Sequence, residues 1–372
     1  MPCEHGFLPQ TFEPIYKEKI WGGHSLKTKL NKNIPDNRLI GESWEISGVC
    51  GYESKARLGA DTGKLLSDIV LREGRTLVGP RCSPDFFPLL YKFIDAQHDL
   101  SIQLHPDDMQ ARRLGLGDNG KTECWYIVDA LPQAQVICGL KRGVTIDDVR
   151  EALKANQLPA LCKYVPIAPG DVIFVPPGTV HATLAHTLLY EVQQTSDLIF
   201  RLYDWKRLDG QGNPRPLHVE QALSAVDLTP PIDHPIEPVI LDNSRFYHAL
   251  RMACQYFAME EYRWDKPARW DLPIKQSFQA ITVMSGSMLI GTKNGEQVYG
   301  KGDTVLLPAR PGTFPISAEA GTRLIVSYVP DLVSDIIEPL HRLGIPRDSI
   351  ERLGGVDSAR NDLSAALSNF SF

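Results

Sequence analysis

Four side chains with metal-binding character stand out in this sequence of 372 residues: Gln103, His105, Glu123 and His181. Gln103 and His105 lie two apart in the β-prone run Ser101-Ile102-Gln103-Leu104-His105-Pro106. Residues i and i+2 of a strand face the same way, so both could reach one ion. Glu123 comes from Gly120-Lys121-Thr122-Glu123-Cys124-Trp125-Tyr126, and His181 closes Gly170-Asp171-Val172-Ile173-Phe174-Val175-Pro176-Pro177-Gly178-Thr179-Val180-His181. A lone histidine among apolar neighbours is an ordinary packed or loop residue; partners in two further segments turn the reading toward a metal. Two imidazoles, a carboxylate and an amide oxygen suit zinc or another divalent first-row metal and leave positions for water or substrate. A closed structural zinc site would use cysteine pairs, and the chain has no Cys-x-x-Cys.

The elements that must present these residues can be read around them. Pro106 ends the Gln103/His105 strand, and Asp107-Asp108 open a short helix over 107–114 with Met109, Ala111 and Leu114 facing inward. Gly115-Leu116-Gly117-Asp118-Asn119-Gly120 matches a dinucleotide-binding glycine pattern, but that motif needs a strand before it and a helix after it, the reverse of the order here. These glycines read as a turn delivering Lys121 and Glu123 to a strand through Trp125, Ile127 and Val128. Thr145 and Asp148 open a helical insertion around 141–160 as a capping box. Gly170 to His181 reads as a strand ending in a Pro-Pro-Gly turn whose rigidity fixes the imidazole. Strands over 186–193 and 198–205 follow, the second carrying Arg201. Upstream, Leu65 to Leu77 has apolar residues at helical intervals. Trp21 and Trp44, on short glycine-bounded strands, either wall a sugar pocket or fill the core.

A formal charge of -6 offers no basic face, so the expected partner is a small molecule, with no nucleic acid and no membrane. Seven scattered cysteines without framework spacing, no signal-peptide plan and no long apolar run predict a reduced, cytoplasmic protein, monomer or homodimer.

The length allows two domains. Gly302-Asp303-Thr304-Val305-Leu306-Leu307-Pro308 echoes Gly170 to Pro176 at the same spacing, which suggests two copies of one β architecture. No histidine stands in the second copy where His181 stands in the first, so the second is expected to be metal-free. The expected layout is a metal-binding domain over 1–208, a linker with a short helix over 209–235, the metal-free copy over 236–330, and a C-terminal helix with a polar tail over 331–372.

Gly170, Pro176, Gly178 and His181 resemble the second motif of the cupin superfamily, although the general pattern places an asparagine or similar residue where this chain has Ala185. The larger constellation resembles the type I mannose-6-phosphate isomerase family in its shorter bacterial form. It comprises Trp21-Gly22-Gly23, Gly41-Glu42-Ser43-Trp44-Glu45, Ser101 to Asp108, Gly120 to Tyr126, the turn ending at His181, and Arg201-Leu202-Tyr203-Asp204-Trp205. The resemblance implies a mainly β fold of two cupin-type jelly-roll β-barrel domains with helical connections. It also implies an aldose-ketose isomerase acting on mannose 6-phosphate and fructose 6-phosphate. Gln103, His105, Glu123 and His181 would then hold zinc, Arg201 would be catalytic, and Lys121 would lie beside the reacting carbons.

Such a reaction moves a proton between C1 and C2 through an enediolate, which requires a base and stabilisation of an oxyanion. Lys121, two residues from Glu123, is the first choice of base, because a nearby cation favours the neutral amine; phosphate binding is its alternative role. Arg201 stays charged and suits anion stabilisation, unless Asp204 ties it into an ion pair. Lys92 and Ser101 are secondary candidates for gripping the phosphate, and Trp21 for lining the sugar. A cupin dioxygenase would use similar ligands, but its uncharged substrate would leave Lys121 and Arg201 unpaired; a non-catalytic sugar-binding cupin is the other alternative.

Overall fold

Runs rich in Val, Ile, Tyr, Trp and Phe, punctuated by glycine and proline, form strands along most of the chain. A computed structural model describes residues 9–117, 119–208, 211–229, 234–292, 295–357 and 359–370. In chain order the first half contributes β1 (Ile15–Gly23), β2 (Ile40–Ile46), β3 (Leu89–Ala96), β4 (Ile102–Leu104), β5 (Glu123–Ala130), β6 (Gln135–Leu140), β7 (Cys162–Pro166), β8 (Val172–Val175), β9 (His181–Thr183), β10 (Thr187–Gln194) and β11 (Phe200–Tyr203). They make a six-stranded sheet, β1-β2-β3-β10-β5-β8, and a five-stranded one, β11-β4-β9-β6-β7. The second half contributes β12 (Val239–Asp242), β13 (Tyr247–Ala253), β14 (Ala258–Trp264), β15 (Ala268–Pro273), β16 (Gln279–Ser285), β17 (Ser287–Thr292), β18 (Gly295–Gly300), β19 (Thr304–Leu307), β20 (Thr313–Ala318) and β21 (Thr322–Tyr328). These form sheets of six and four strands, β12-β13-β14-β21-β16-β19 and β15-β20-β17-β18.

The two six-stranded orders are the same order: β12, β13, β14, β21, β16 and β19 stand where β1, β2, β3, β10, β5 and β8 stand. The sequence echo lies on this correspondence, with Gly170 (φ 96°) and Gly302 (φ 89°) in the left-handed region before β8 and β19. At Gly302 a Cβ would also lie 2.4 Å from the Leu30 carbonyl oxygen, so only glycine fits. Among the described residues no hydrogen-bonded strand joins a sheet to its facing sheet, so each jelly-roll copy is a two-layer sandwich, not a closed barrel.

Inside the first sandwich, Trp21, Ile94, Trp125 and Leu189 pack on Val136, Cys138 and Val165. The second is filled by Tyr262, Trp264, Ile281 and Val326 against Met288, Ile290, Phe314 and Ile316. The six-stranded sheets turn their other faces toward each other, where Tyr91, Phe93, Tyr126 and Tyr190 share one core with Met252, Ala280, Leu306 and Ile325.

Several local expectations are corrected. The helical run from Leu65 breaks at Gly74 (φ 50°) into Leu66–Glu73 and Arg75–Val78. The helix Asp108–Arg113 buries Ala111 but leaves Met109 72% and Leu114 38% exposed, since a helix this short covers little surface. The stretch read as a polar tail folds back: Ile350, Leu353, Leu363 and Leu367 drive the helices Arg347–Arg352 and Asp362–Ser368 onto the shared core. The insertion consists of Ile146–Lys154, with both capping-box bonds present, and Leu158–Leu161. Within the expected linker the helix Val219–Ala225 is formed, while residues 209–210 and 230–233 lie outside the described set.

Candidate active site

The first sandwich brings the separated residues together at one end of its two sheets. β4 pairs with both neighbours at Gln103, which stands opposite His181 on β9 and Arg201 on β11. Glu123 opens β5 in the facing sheet. His105 follows β4, and its Nδ1 donates to the Leu198 carbonyl at 2.6 Å; His181 Nδ1 donates to the Thr179 carbonyl at 2.8 Å. A ring nitrogen facing a carbonyl must carry the proton, so each Nε2 keeps its lone pair and is oriented by its backbone partner. Both lone pairs point at Glu123, with His105 Nε2 3.3 Å from Oε2 and His181 Nε2 3.3 Å from Oε1. One ligand atom from each of the three lies within 4.8 Å of the others, and all three residues are buried.

This arrangement fits a divalent cation. His181 Nε2 is a buried acceptor without a hydrogen-bond partner, and a convergent set of N and O lone pairs is the environment that zinc and its neighbours take. Burial, aided by Lys121, pushes the His105 imidazole down to about 3, and burial also lowers His181, so both present neutral rings. Burial opposes ionisation of Glu123, but the charge of Lys121 foremost outweighs it and holds the carboxyl well below the usual range. Lys121 Nζ lies 2.6 Å from Glu123 Oε2 and 3.0 Å from His105 Nε2, closer to the ligand atoms than a strand-face neighbour need be.

A cavity of about 600 Å³, its mouth included, opens beside the triad. Trp21, Lys92, Ser101, Gln103, Lys121, Glu123, His181 and Arg201 all line it, and His105 sits behind them. Trp21 fills both roles foreseen for it, buried in the core and lining the cavity. Trp44 is core, fully buried with its indole N–H on Glu42 Oε2 at 2.7 Å. Arg201 does not pair with Asp204, which is taken by Arg207 and Arg215. Instead Arg201 Nε donates to Ser101 Oγ at 3.3 Å and Nη1 to the Pro216 carbonyl at 2.8 Å.

Sequence reasoning missed the acids on this wall. Glu191 pairs with Lys92 at 2.9 Å and accepts from Trp125 Nε1 at 3.0 Å, and Glu42 pairs with Lys19 at 3.0 Å. Burial opposes the charge of Lys92, yet Glu191, Glu42 and Asp197 together raise its pKa. The signal was a carboxylate inside an otherwise apolar strand, Leu188-Leu189-Tyr190-Glu191-Val192.

The second sandwich has the same register without this chemistry. Pro273 pairs with Thr313 where Gln103 pairs with His181, and Gln279 pairs with Leu307 where Glu123 pairs with Val175. Among the described residues the first copy carries the sole cluster of three metal-ligating side chains.

A two-sandwich β fold with a buried N/O ligand set facing a charged cavity defines a cupin-type protein with a metal-binding site. The profile for "Phosphomannose isomerase type I, catalytic domain" matches residues 10–123. "Probable mannose-6-phosphate isomerase GmuF" of Bacillus subtilis is 35% identical over 310 residues, covering 83% of this chain and 96% of that one. Mannose-6-phosphate isomerase ManA of the same organism is 34% identical over 324 residues, covering 86% and 99%. The crystal structure of a Bacillus subtilis mannose 6-phosphate isomerase superposes with a TM-score of 0.78 at 33% identity, covering 86% of this chain and 99% of that one. The chain belongs to the type I mannose-6-phosphate isomerase family.

Proposed function

We propose that the protein interconverts mannose 6-phosphate and fructose 6-phosphate by moving a proton between C1 and C2. The observation that carries the reading is the convergence of His105, Glu123 and His181 beside Lys121, in a cavity that also holds Lys92 and Arg201. Gln103, His105, Glu123 and His181 would hold the metal, with zinc favoured by the mixed N/O donors. When bound, such an ion supplies Lewis-acid stabilisation of charge developing on O1 or O2. Lys121 would accept the C2 proton on its amine nitrogen and return it at C1, and its alternative role is to hold the phosphate. Arg201, free of Asp204, turns a cation toward the cavity and favours enediolate charge, while Lys92 and Ser101 add donors for the phosphate. Trp21 gives the sugar an apolar wall.

A non-catalytic sugar-binding cupin would have little use for a lysine set against metal ligands. A dioxygenase would meet a cavity lined by Lys19, Lys92, Lys121 and Arg201, ill matched to an uncharged substrate. We also propose a cytoplasmic location and a monomer or homodimer. The six described cysteines are free, and among the described residues no helix is long and apolar enough to cross a membrane. The test is a coupled assay with mannose 6-phosphate beside metal analysis. His105→Ala and Glu123→Ala are expected to lose bound metal and turnover together, and full turnover by metal-free protein would overturn the reading.

A further inference from the structure

The segment that carries Lys121 and Glu123 is fastened to the molecule from several sides. Lys121 N donates to the Pro106 carbonyl at 3.0 Å, Thr122 N to Gln194 Oε1 at 2.9 Å, and Gly120 N to Asp108 Oδ1 at 2.8 Å. Gln194 Nε2 donates to the same Asp108 oxygen at 3.1 Å. The other oxygen, Asp108 Oδ2, accepts from the Tyr256 hydroxyl at 2.7 Å. Tyr256 belongs to the second sandwich, in the turn between β13 and β14. That turn is closed by Cys254 N on the Phe257 carbonyl at 2.9 Å and tied to the C-terminal helix by Gln255 N on Asp362 Oδ2 at 2.8 Å. Gly120 has no room to yield, since a Cβ there would lie 2.4 Å from Asp107 C and Asp108 N.

We infer that Tyr256 and Asp108 are positioning residues, through which the second sandwich holds the Lys121–Glu123 segment in place by the chain Tyr256–Asp108–Gly120. The inference rests on the isomerase reading above and gives the metal-free copy a part in the reaction. A displacement of about 1 Å at a reacting group can cost on the order of a hundredfold in rate. Neither residue lines the cavity, so their loss acts on turnover and leaves substrate affinity alone.

Tyr256→Phe keeps the ring and removes the hydroxyl. It is expected to retain metal content and KM for mannose 6-phosphate while kcat falls roughly threefold to tenfold, the size of one lost hydrogen bond. Amide hydrogen exchange over 119–122 should accelerate by a similar factor. Asp108→Ala should fall further, and adding Tyr256→Phe to it should change little, because both act through one path. Asp108→Asn, which keeps an acceptor for Gly120 and a polar group for Tyr256, should stay close to wild type. Wild-type kcat and exchange in Tyr256→Phe, or an Asp108→Asn as slow as Asp108→Ala, overturns the inference. Absence of turnover in the wild-type protein overturns the isomerase reading alone, and the exchange rates still decide whether Tyr256 holds the segment.

Discussion

Glu123 is the charge partner of Lys121 and a candidate metal ligand. In this structure its carboxylate balances the Lys121 ammonium, and its two oxygens each lie 3.3 Å from an imidazole Nε2, Oε2 from that of His105 and Oε1 from that of His181. Replacing Lys121 with Gln is expected to leave bound metal in place and to lower kcat by at least about a hundredfold, the usual worth of a general base. A raised KM with near-normal kcat would instead assign Lys121 to the phosphate. Glu42 makes a separate claim on pH. Burial opposes its ionisation, but Lys92, Lys19 and the Trp44 indole bring it from 4.5 to about 2. Because the folded value lies below the unfolded one, the unfolded chain takes up this proton first as the pH drops. The contribution, roughly 3 kcal/mol for a shift of this size, is complete above pH 4.5 and is lost as the pH falls toward 2. In urea unfolding, the wild type's advantage over Glu42→Gln should therefore shrink across that window, and a constant difference would refute the assignment.

The strands explain why part of this was readable. The Pro-Pro-Gly turn before His181 and the capping box at Thr145 are local patterns, and each appears as written, whereas β4 ends at Leu104 and His105 follows it. The all-buried β10 is the opposite case. Simple alternation predicts one wet face, yet Thr187–Gln194 is buried throughout, because its second face meets the other sandwich. Glu191 lies on the opposite face, the one that Leu189 turns into the first sandwich, where it is enclosed at the cavity wall. The insertion lies apart from the cavity, so Thr145→Ala should cost about 1 kcal/mol in unfolding free energy without altering kcat. A loss of activity in that variant would tie the insertion to the site.

The two sandwiches meet back to back through a common core, so they are expected to unfold together. Ile325 is fully buried there, on β21 of the second sandwich. Ile325→Ala should cost about 2–5 kcal/mol and lower the urea midpoint of activity and of tryptophan fluorescence in step. Separate transitions would mean that the halves are independent. The charge pattern also differs between the copies: Glu260 pairs with Val326 where Lys92 pairs with Glu191, so the repeated sheet kept its packing and changed its polar interior.

The amino-acid order alone determined the candidate ligand types and the repeat of one architecture, because each is a short-range pattern or a fixed spacing. Tertiary structure alone decided that Lys121 presses against the ligand atoms, that Arg201 escapes Asp204, that Glu42 and Glu191 wall the cavity, and that Tyr256 reaches Asp108 from 148 positions away. Such contacts depend on how two sheets are laid against each other, and no local periodicity encodes that.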